Sequence, residues 1–216
     1  MVPAKEKIDL TLYPRAALLK AFRDREMPCF SVTSEVDVTT LVRFARTKNL
    51  KFFITMSYAL SRAVNQIPEL RQRLIGGELY EFERVDPGYT VLLQNNTFSF
   101  CDSLHMESFA EYYDYASRAI EAVKRVPDLA MEEKDHMFFI TAIPWFSFTS
   151  FTHPYFAQYA SIPLLTIGKH FPRSRNIVMP LAIQVHHAIV DGIHIGTFLD
   201  RLKETINDKT LYKGSR

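Results

Sequence analysis

The sequence predicts an α/β sandwich in which helices cover one face of a largely antiparallel sheet. Three observations carry this. Segments with apolar residues every three or four positions recur along the chain. Short runs rich in aromatic and β-branched residues, bounded by Gly, Pro, Asn and Asp, fill the stretches between them. The two kinds alternate too irregularly for a doubly wound parallel sheet. With 216 residues, 47% hydrophobic and 13% aromatic, the chain has material for a sizeable core and fits one domain, 1–216. No internal repeat, low-complexity tract or Gly/Ser-rich linker suggests a boundary.

Pro14 suits the first turn of a helix, and Ala16, Ala17, Leu18, Leu19, Ala21 and Phe22 extend it to about Arg25. Cys29 to Val36 alternates apolar and polar residues as a half-buried strand does. Asp37 is placed to cap a helix carrying Leu41, Val42 and Phe44. A more apolar helix runs from about Phe53 to Gln66 and stops before Pro68. Strands are expected at Glu78–Arg84, Tyr89–Gln94 and Thr97–Asp102, an antiparallel meander with turns at Asp86-Pro87-Gly88 and Asn95-Asn96. From Glu107 to Val126, Phe109, Tyr113, Ala116, Ile120 and Val123 form one apolar helical face that ends at Pro127. Strand composition returns at Met137–Ile143, Ile162–Gly168 and Ile177–Val185, with a loop at Phe171–Asn176 between the last two. A final helix carries the stripe Ile195, Phe198, Leu199, Leu202 and Ile206.

The formal net charge is only +2 and the basic residues are scattered among acids, so nucleic acid is not an expected partner. The start, MVPAKEKIDL, has no signal-peptide pattern, and no run of about 18 apolar residues occurs, so the chain reads as cytoplasmic with no membrane span. Cys29 and Cys101 are far apart and lack metal or redox spacing, which fits two reduced thiols packed as small hydrophobes.

Chemistry concentrates in Gln184 to His194, QVHHAIVDGIH, at the junction of the last strand and the last helix. Three readings compete. His187 with Asp191 or His194 could ligate a metal, although the His-Glu-x-x-His form is missing and His105, His136, His153 and His170 stand singly. His186 and His187 could be hydrogen-bonded turn residues. Alternatively one of them is a general base, since imidazole titrates near pH 6.5 and the carboxylate four residues on could fix its turn. Spacing leaves all three open.

VHHAIVDG resembles the His-His-x-x-x-Asp-Gly motif of the trimeric chloramphenicol acetyltransferases. Other stretches similar to that family appear in order. They are Tyr13-Pro14-Arg15, Pro28-Cys29-Phe30-Ser31, Ala63-Val64-Asn65-Gln66 with Pro68-Glu69-Leu70-Arg71, Gly77-Glu78-Leu79 and Val85-Asp86-Pro87. Pro144-Trp145, Thr166-Ile167-Gly168-Lys169 and Pro180-Leu181-Ala182-Ile183-Gln184 complete them, so the resemblance covers about Tyr13 to Asn207.

The resemblance implies the CoA-dependent acyltransferase fold, a two-layer sandwich with a mixed, largely antiparallel sheet. It implies acetyl transfer from acetyl-CoA to a hydroxyl of chloramphenicol, and hence antibiotic resistance, with no metal. His187 would be the general base. Asp191 would pair with Arg15 to hold the loop, and Thr141 would stand where the family's serine meets the oxyanion. Thr166 matches a second hydroxyl acting through water. Phe22, Cys29 and Phe30 would line the acceptor pocket, and Trp145 and His170 the CoA channel. His186 and His194 are assigned structural roles. The family is homotrimeric, with active sites at subunit interfaces. The chain departs from the pattern at Thr141, at His170 in place of Tyr, at Val190 in place of Cys, and in the shortened stretch Thr152–Ser161. The same chemistry on another hydroxyl acceptor, and a noncatalytic trimeric homologue that binds a hydrophobic ligand, are the alternatives. Dihydrolipoyl acyltransferase domains share the fold and a similar motif, but the chain lacks a lipoyl domain and linker.

Overall fold

The computed structural model describes residues 2–129 and 134–212. Six α-helices and ten strands follow one another as β1 Lys5–Lys7, α1 Ala16–Phe22, β2 Cys29–Asp37, α2 Thr39–Thr47, α3 Phe52–Asn65, α4 Pro68–Arg71, β3 Gln72–Ile75, β4 Glu78–Phe82, β5 Asp86–Leu92, β6 Phe98–Asp102, α5 Phe109–Arg125, β7 Met137–Ile143, β8 Leu164–Gly168, β9 Phe171–Arg173, β10 Asn176–His186 and α6 Gly192–Asn207. The main sheet runs β2-β10-β8-β7-β5-β6, with β9 also paired to β10. It is mixed: β5–β7 and β7–β8 are parallel, and the other pairings are antiparallel. A second, wholly antiparallel sheet, β1-β4-β3, stands apart from it.

Alternation along the strands divides the main sheet into two faces. Ile140, Leu165, Ile167, Leu181, Ile183 and Val185 are buried and belong to the hydrophobic core. The core is completed from α2, α3, α5 and α6; Ile54 to Ser61 of α3 is buried without a break, as befits a helix surrounded by other elements. The opposite face carries Ser31, Thr33, Thr141, Thr166, Gln184 and His186, which are brought into line by register: Thr141 pairs with Thr166, Thr166 with Ala182, and Gln184 with Ser31. The loop from 144 to 163 lies over part of this face. No helix among the described residues is long and apolar enough to cross a membrane.

Several elements depart from the expectations. Asp86-Pro87-Gly88 is not a turn but the start of β5, paired in parallel with Met137-Phe138-Phe139. Proline is tolerated there because it opens the strand, where its carbonyl accepts from Ser103 N at 2.9 Å. Glu78–Phe82 consequently belongs to the small sheet and is not part of the meander. Pro68 stops α3 and also begins α4, where a missing N–H costs nothing. Asp37 does not cap α2 itself. Val38 does, and the Asp37 carboxylate accepts from Thr39 N at 2.9 Å in a turn one residue earlier. In α5 it is Tyr112, not Tyr113, that is fully buried. The short strands β1, β3 and β9 carry no composition that marked them.

One buried charge ties the two sheets together. Arg73 of β3 is fully buried and donates to Asp135 O and Met137 O at 2.8 Å, to Leu70 O at 2.9 Å and to Gln72 O at 2.7 Å. Burial pulls its guanidinium down to about 9, and four carbonyls take up four of its five N–H donors.

Candidate active site

The stretch from the end of β10 into α6 separates the three histidines into three environments. His187 N donates to Pro28 O at 2.8 Å, which locks the turn to the start of β2. The ring Nδ1 lies 3.2 Å from Val190 O. A carbonyl only accepts, so in the neutral ring the proton sits on Nδ1 and the lone pair on Nε2. Two aromatic walls fix the ring plane: Phe22, at the last turn of α1, at 4.3 Å between centroids, and Phe30 of β2 at 5.0 Å, edge-on.

His186 is buried on the polar face. Its Nδ1 accepts from Ala188 N at 3.2 Å, and burial, then the neighbouring His187, draws its pKa down to about 4. His194 closes a capping box at the start of α6: its Nδ1 accepts from Asp191 N at 2.8 Å and its Nε2 faces Glu69 at 3.5 Å. With each ring committed to a different partner, the three do not converge. Among the described residues no three His, Cys, Asp or Glu side chains form a metal-ligand group.

Asp191 caps α6, accepting from Gly192 N at 2.8 Å. That bond first, and Arg15 second, hold its carboxyl below the ordinary range. Arg15, 14% exposed, meets Asp191 at 3.5 Å and reaches His187 O at 3.5 Å, so one guanidinium spans the loop. Asp191 is 43% exposed, and at this length the pair is worth less than the cap.

The remaining site residues lie elsewhere on the chain. Cys29 sits on the opposite face of β2 from Phe30, pairs with His186 in register, and donates from its thiol to Ala160 O at 3.4 Å. Burial pushes that thiol up to about 11, which rules it out as a nucleophile at neutral pH. Thr141 and Thr166 stand side by side on β7 and β8. Trp145 follows β7 and is 61% exposed; the turn it belongs to is tied to the end of β8 by Lys169 N to Phe146 O at 3.0 Å. His170 packs on Phe52 at 4.9 Å. The structure thus brings together His187, Phe22, Phe30, Arg15 and Asp191 in one group and Thr141 with Thr166 in another. Ala182, the partner of Thr166, precedes the end of β10 by four positions and His187 by five, so about 13 Å of strand and the start of the turn separate the two groups within one chain.

One polar neighbour of the second group was not singled out from the sequence. His153 places Nε2 2.6 Å from Thr166 Oγ1. A lone histidine in a loop carries no spacing signal, and nothing in the sequence reveals that the loop folds back onto β8.

Comparison with known proteins decides the family. The chloramphenicol acetyltransferase family model matches residues 4–203. The chloramphenicol acetyltransferase of Proteus mirabilis is 34% identical over 207 residues, covering 91% of this chain and 92% of its own. Chloramphenicol acetyltransferase 3 of Escherichia coli is 34% identical over 211 residues, covering 94% and 97%. The chain belongs to the chloramphenicol acetyltransferase family. A solved chloramphenicol acetyltransferase superposes with a TM-score of 0.89 at 28% identity, covering 94% of this chain and all of the other. The dihydrolipoamide acetyltransferase of Azotobacter vinelandii, at 17% identity and a TM-score of 0.69 over 89% and 86%, shares the fold.

Proposed function

We propose that the chain transfers the acetyl group of acetyl-CoA to a hydroxyl of chloramphenicol, with His187 as general base in a ternary complex. The observation that carries this is the His187 imidazole. Its Nδ1 is committed to Val190 O, its plane is held by Phe22 and Phe30, and Nε2 is left as the acceptor. Nε2 takes the acceptor's hydroxyl proton as that oxygen bonds to the thioester carbon. The carbon–sulfur bond then breaks, the sulfur leaves as a thiolate, and the proton passes to it from His187. An acetyl ester and the CoA thiol result, and no acyl-enzyme is required.

Arg15 and Asp191 position the base by fixing its loop, and Thr141 supplies the hydroxyl donor to the tetrahedral oxyanion, with Thr166 beside it acting through water. Trp145, with most of its indole exposed, and His170 would hold the pantetheine arm of acetyl-CoA. Phe22 and Phe30, packed on the His187 ring, would line the acceptor pocket, while Cys29, on the other face of β2, stands apart from them. The two groups lie too far apart in one chain to meet one carbonyl, which supports a site assembled from His187 of one subunit and the threonines of another. A homotrimer gives each interface one such site.

The test is thiol release from acetyl-CoA, with the product identified by mass, for chloramphenicol and several other hydroxyl compounds. Acetylation of chloramphenicol that falls by about 10²–10⁴-fold in His187→Ala is the expected result. Binding of chloramphenicol without thiol release overturns the catalytic reading. Turnover of another alcohol alone keeps the mechanism and changes the acceptor.

A further inference from the structure

Thr166 is fully buried, and its hydroxyl is reached from outside the strand by a residue thirteen positions earlier. Three local features deliver His153 to it. Gly168 leaves room for the loop: a Cβ there would sit 2.6 Å from Pro180 Cγ and 2.8 Å from the Phe148 ring, so only glycine lets Phe148 rest on β8. Phe148 packs on Phe151 at 5.5 Å, and Phe151 on the edge of His153 at 5.0 Å. Pro154 disfavours the helical region at His153, and the freed His153 N–H donates to Gln184 Oε1 at 2.9 Å, an oxygen that also accepts from Ser31 at 3.1 Å.

We propose that His153 is a positioning residue for the transfer: with its proton on Nε2, it donates to Thr166 Oγ1 and so turns the Thr166 hydroxyl proton outward, toward the site that Thr166 shares with Thr141. This rests on the transferase reading above. A threonine side chain has two favoured χ1 wells for its hydroxyl, and a 2.6 Å bond selects one of them. A hydroxyl that accepts from a histidine N–H is also a better donor in its turn, because successive hydrogen bonds polarise one another. Burial holds the His153 imidazole below its ordinary value, so the ring stays neutral and keeps one acceptor nitrogen.

The test combines kinetics with a direct view of the ring. His153→Leu is expected to lower kcat about tenfold while the KM values for acetyl-CoA and acceptor move less than twofold. His153→Gln, which keeps a donor, should recover most of the loss, and neither change should add to the loss in a Thr166→Val background. An unchanged kcat in His153→Leu, or losses that multiply with Thr166→Val, overturns the proposal. Nitrogen NMR of the His153 ring is independent of turnover. A proton on Nε2 that shifts in Thr166→Val supports the proposed direction, and a proton on Nδ1 overturns it even if the His153→Leu variant fails to fold. A wild-type chain with no acetyl transfer sinks the transferase reading alone, and the NMR result then still decides whether His153 donates to Thr166.

Discussion

His187 gains its orientation from main-chain groups: Pro28 O, Val190 O and its own carbonyl held by Arg15. The motif made the residue legible, but the tautomer came only with the fold, because Val190 O reaches Nδ1 through the turn geometry. Thr141 is legible as a hydroxyl and not as a rotamer. Its extra methyl restricts χ1, so Thr141→Ser is expected to keep or raise kcat, whereas Thr141→Ala should lower it by about 10²–10³-fold, the usual cost of one oxyanion donor. Parallel rate measurements under saturating acetyl-CoA check both; an unaltered kcat in Thr141→Ala removes the residue from the mechanism. His186 makes a stability prediction of its own. Its folded pKa of about 4 lies below the unfolded imidazole value of about 6.5, so the unfolded chain takes the proton first as pH falls. Stability is therefore full above about pH 6.5 and is lost progressively toward pH 4. Between pH 7 and pH 5 the loss is about 2 kcal/mol from this group, 4% exposed. The gap between denaturant midpoints at the two pH values should narrow, though not close, in His186→Gln, which accepts from Ala188 N but does not titrate, because burial lowers other histidines too.

Among the elements, the helices other than α4 and the strands β2, β7, β8 and β10 were legible: β2, α5 and α6 carry a period in the sequence, whereas β8 and β10, buried on both faces, show only as apolar, β-branched runs. Asp86-Pro87-Gly88 misled for a physical reason. Proline and glycine usually mark turns, but here Pro87 opens a strand and Gly88 makes room for a ring on the neighbouring strand. A Cβ at Gly88 would stand 2.6 Å from Phe139 Cδ1 and 3.2 Å from Met137 Cε. Gly88→Ala is expected to destabilise the protein by about 1–3 kcal/mol through overpacking. Phe139 lies two residues before Thr141 on β7, so the same substitution should also lower kcat. A denaturation midpoint equal to the wild type would show that Phe139 can move aside. The capping of α6 is not read from the sequence. The motif assigns Asp191 only to fixing the loop, and its cap, its partner His194 and the Glu69 beyond it come together only when α4 and α6 are placed.

Strand order belongs to the whole molecule and lay outside what the sequence could specify, because parallel neighbours such as β5 and β7 are joined through β6 and α5, far apart in the chain. That order has a functional consequence. Thr141 reaches β10 only through β8, and His187 lies five positions beyond that crossing, so under the proposed mechanism the base and the oxyanion donor of one chain would serve different reaction centres. If each centre takes His187 from one subunit and Thr141 from the next, two inactive variants should complement each other. A subunit carrying Thr141→Ala still offers a sound base, and a subunit carrying His187→Ala still offers a sound threonine. Random assembly of equal amounts then makes about a quarter of the interfaces intact, whatever the size of the closed ring. Unfolding and refolding the two variants together should thus restore about a quarter of the wild-type rate, while the same proteins refolded separately and then mixed stay inactive until subunits exchange. Were both groups to act within one chain, every site in the hybrid would keep its own defect and no activity would return.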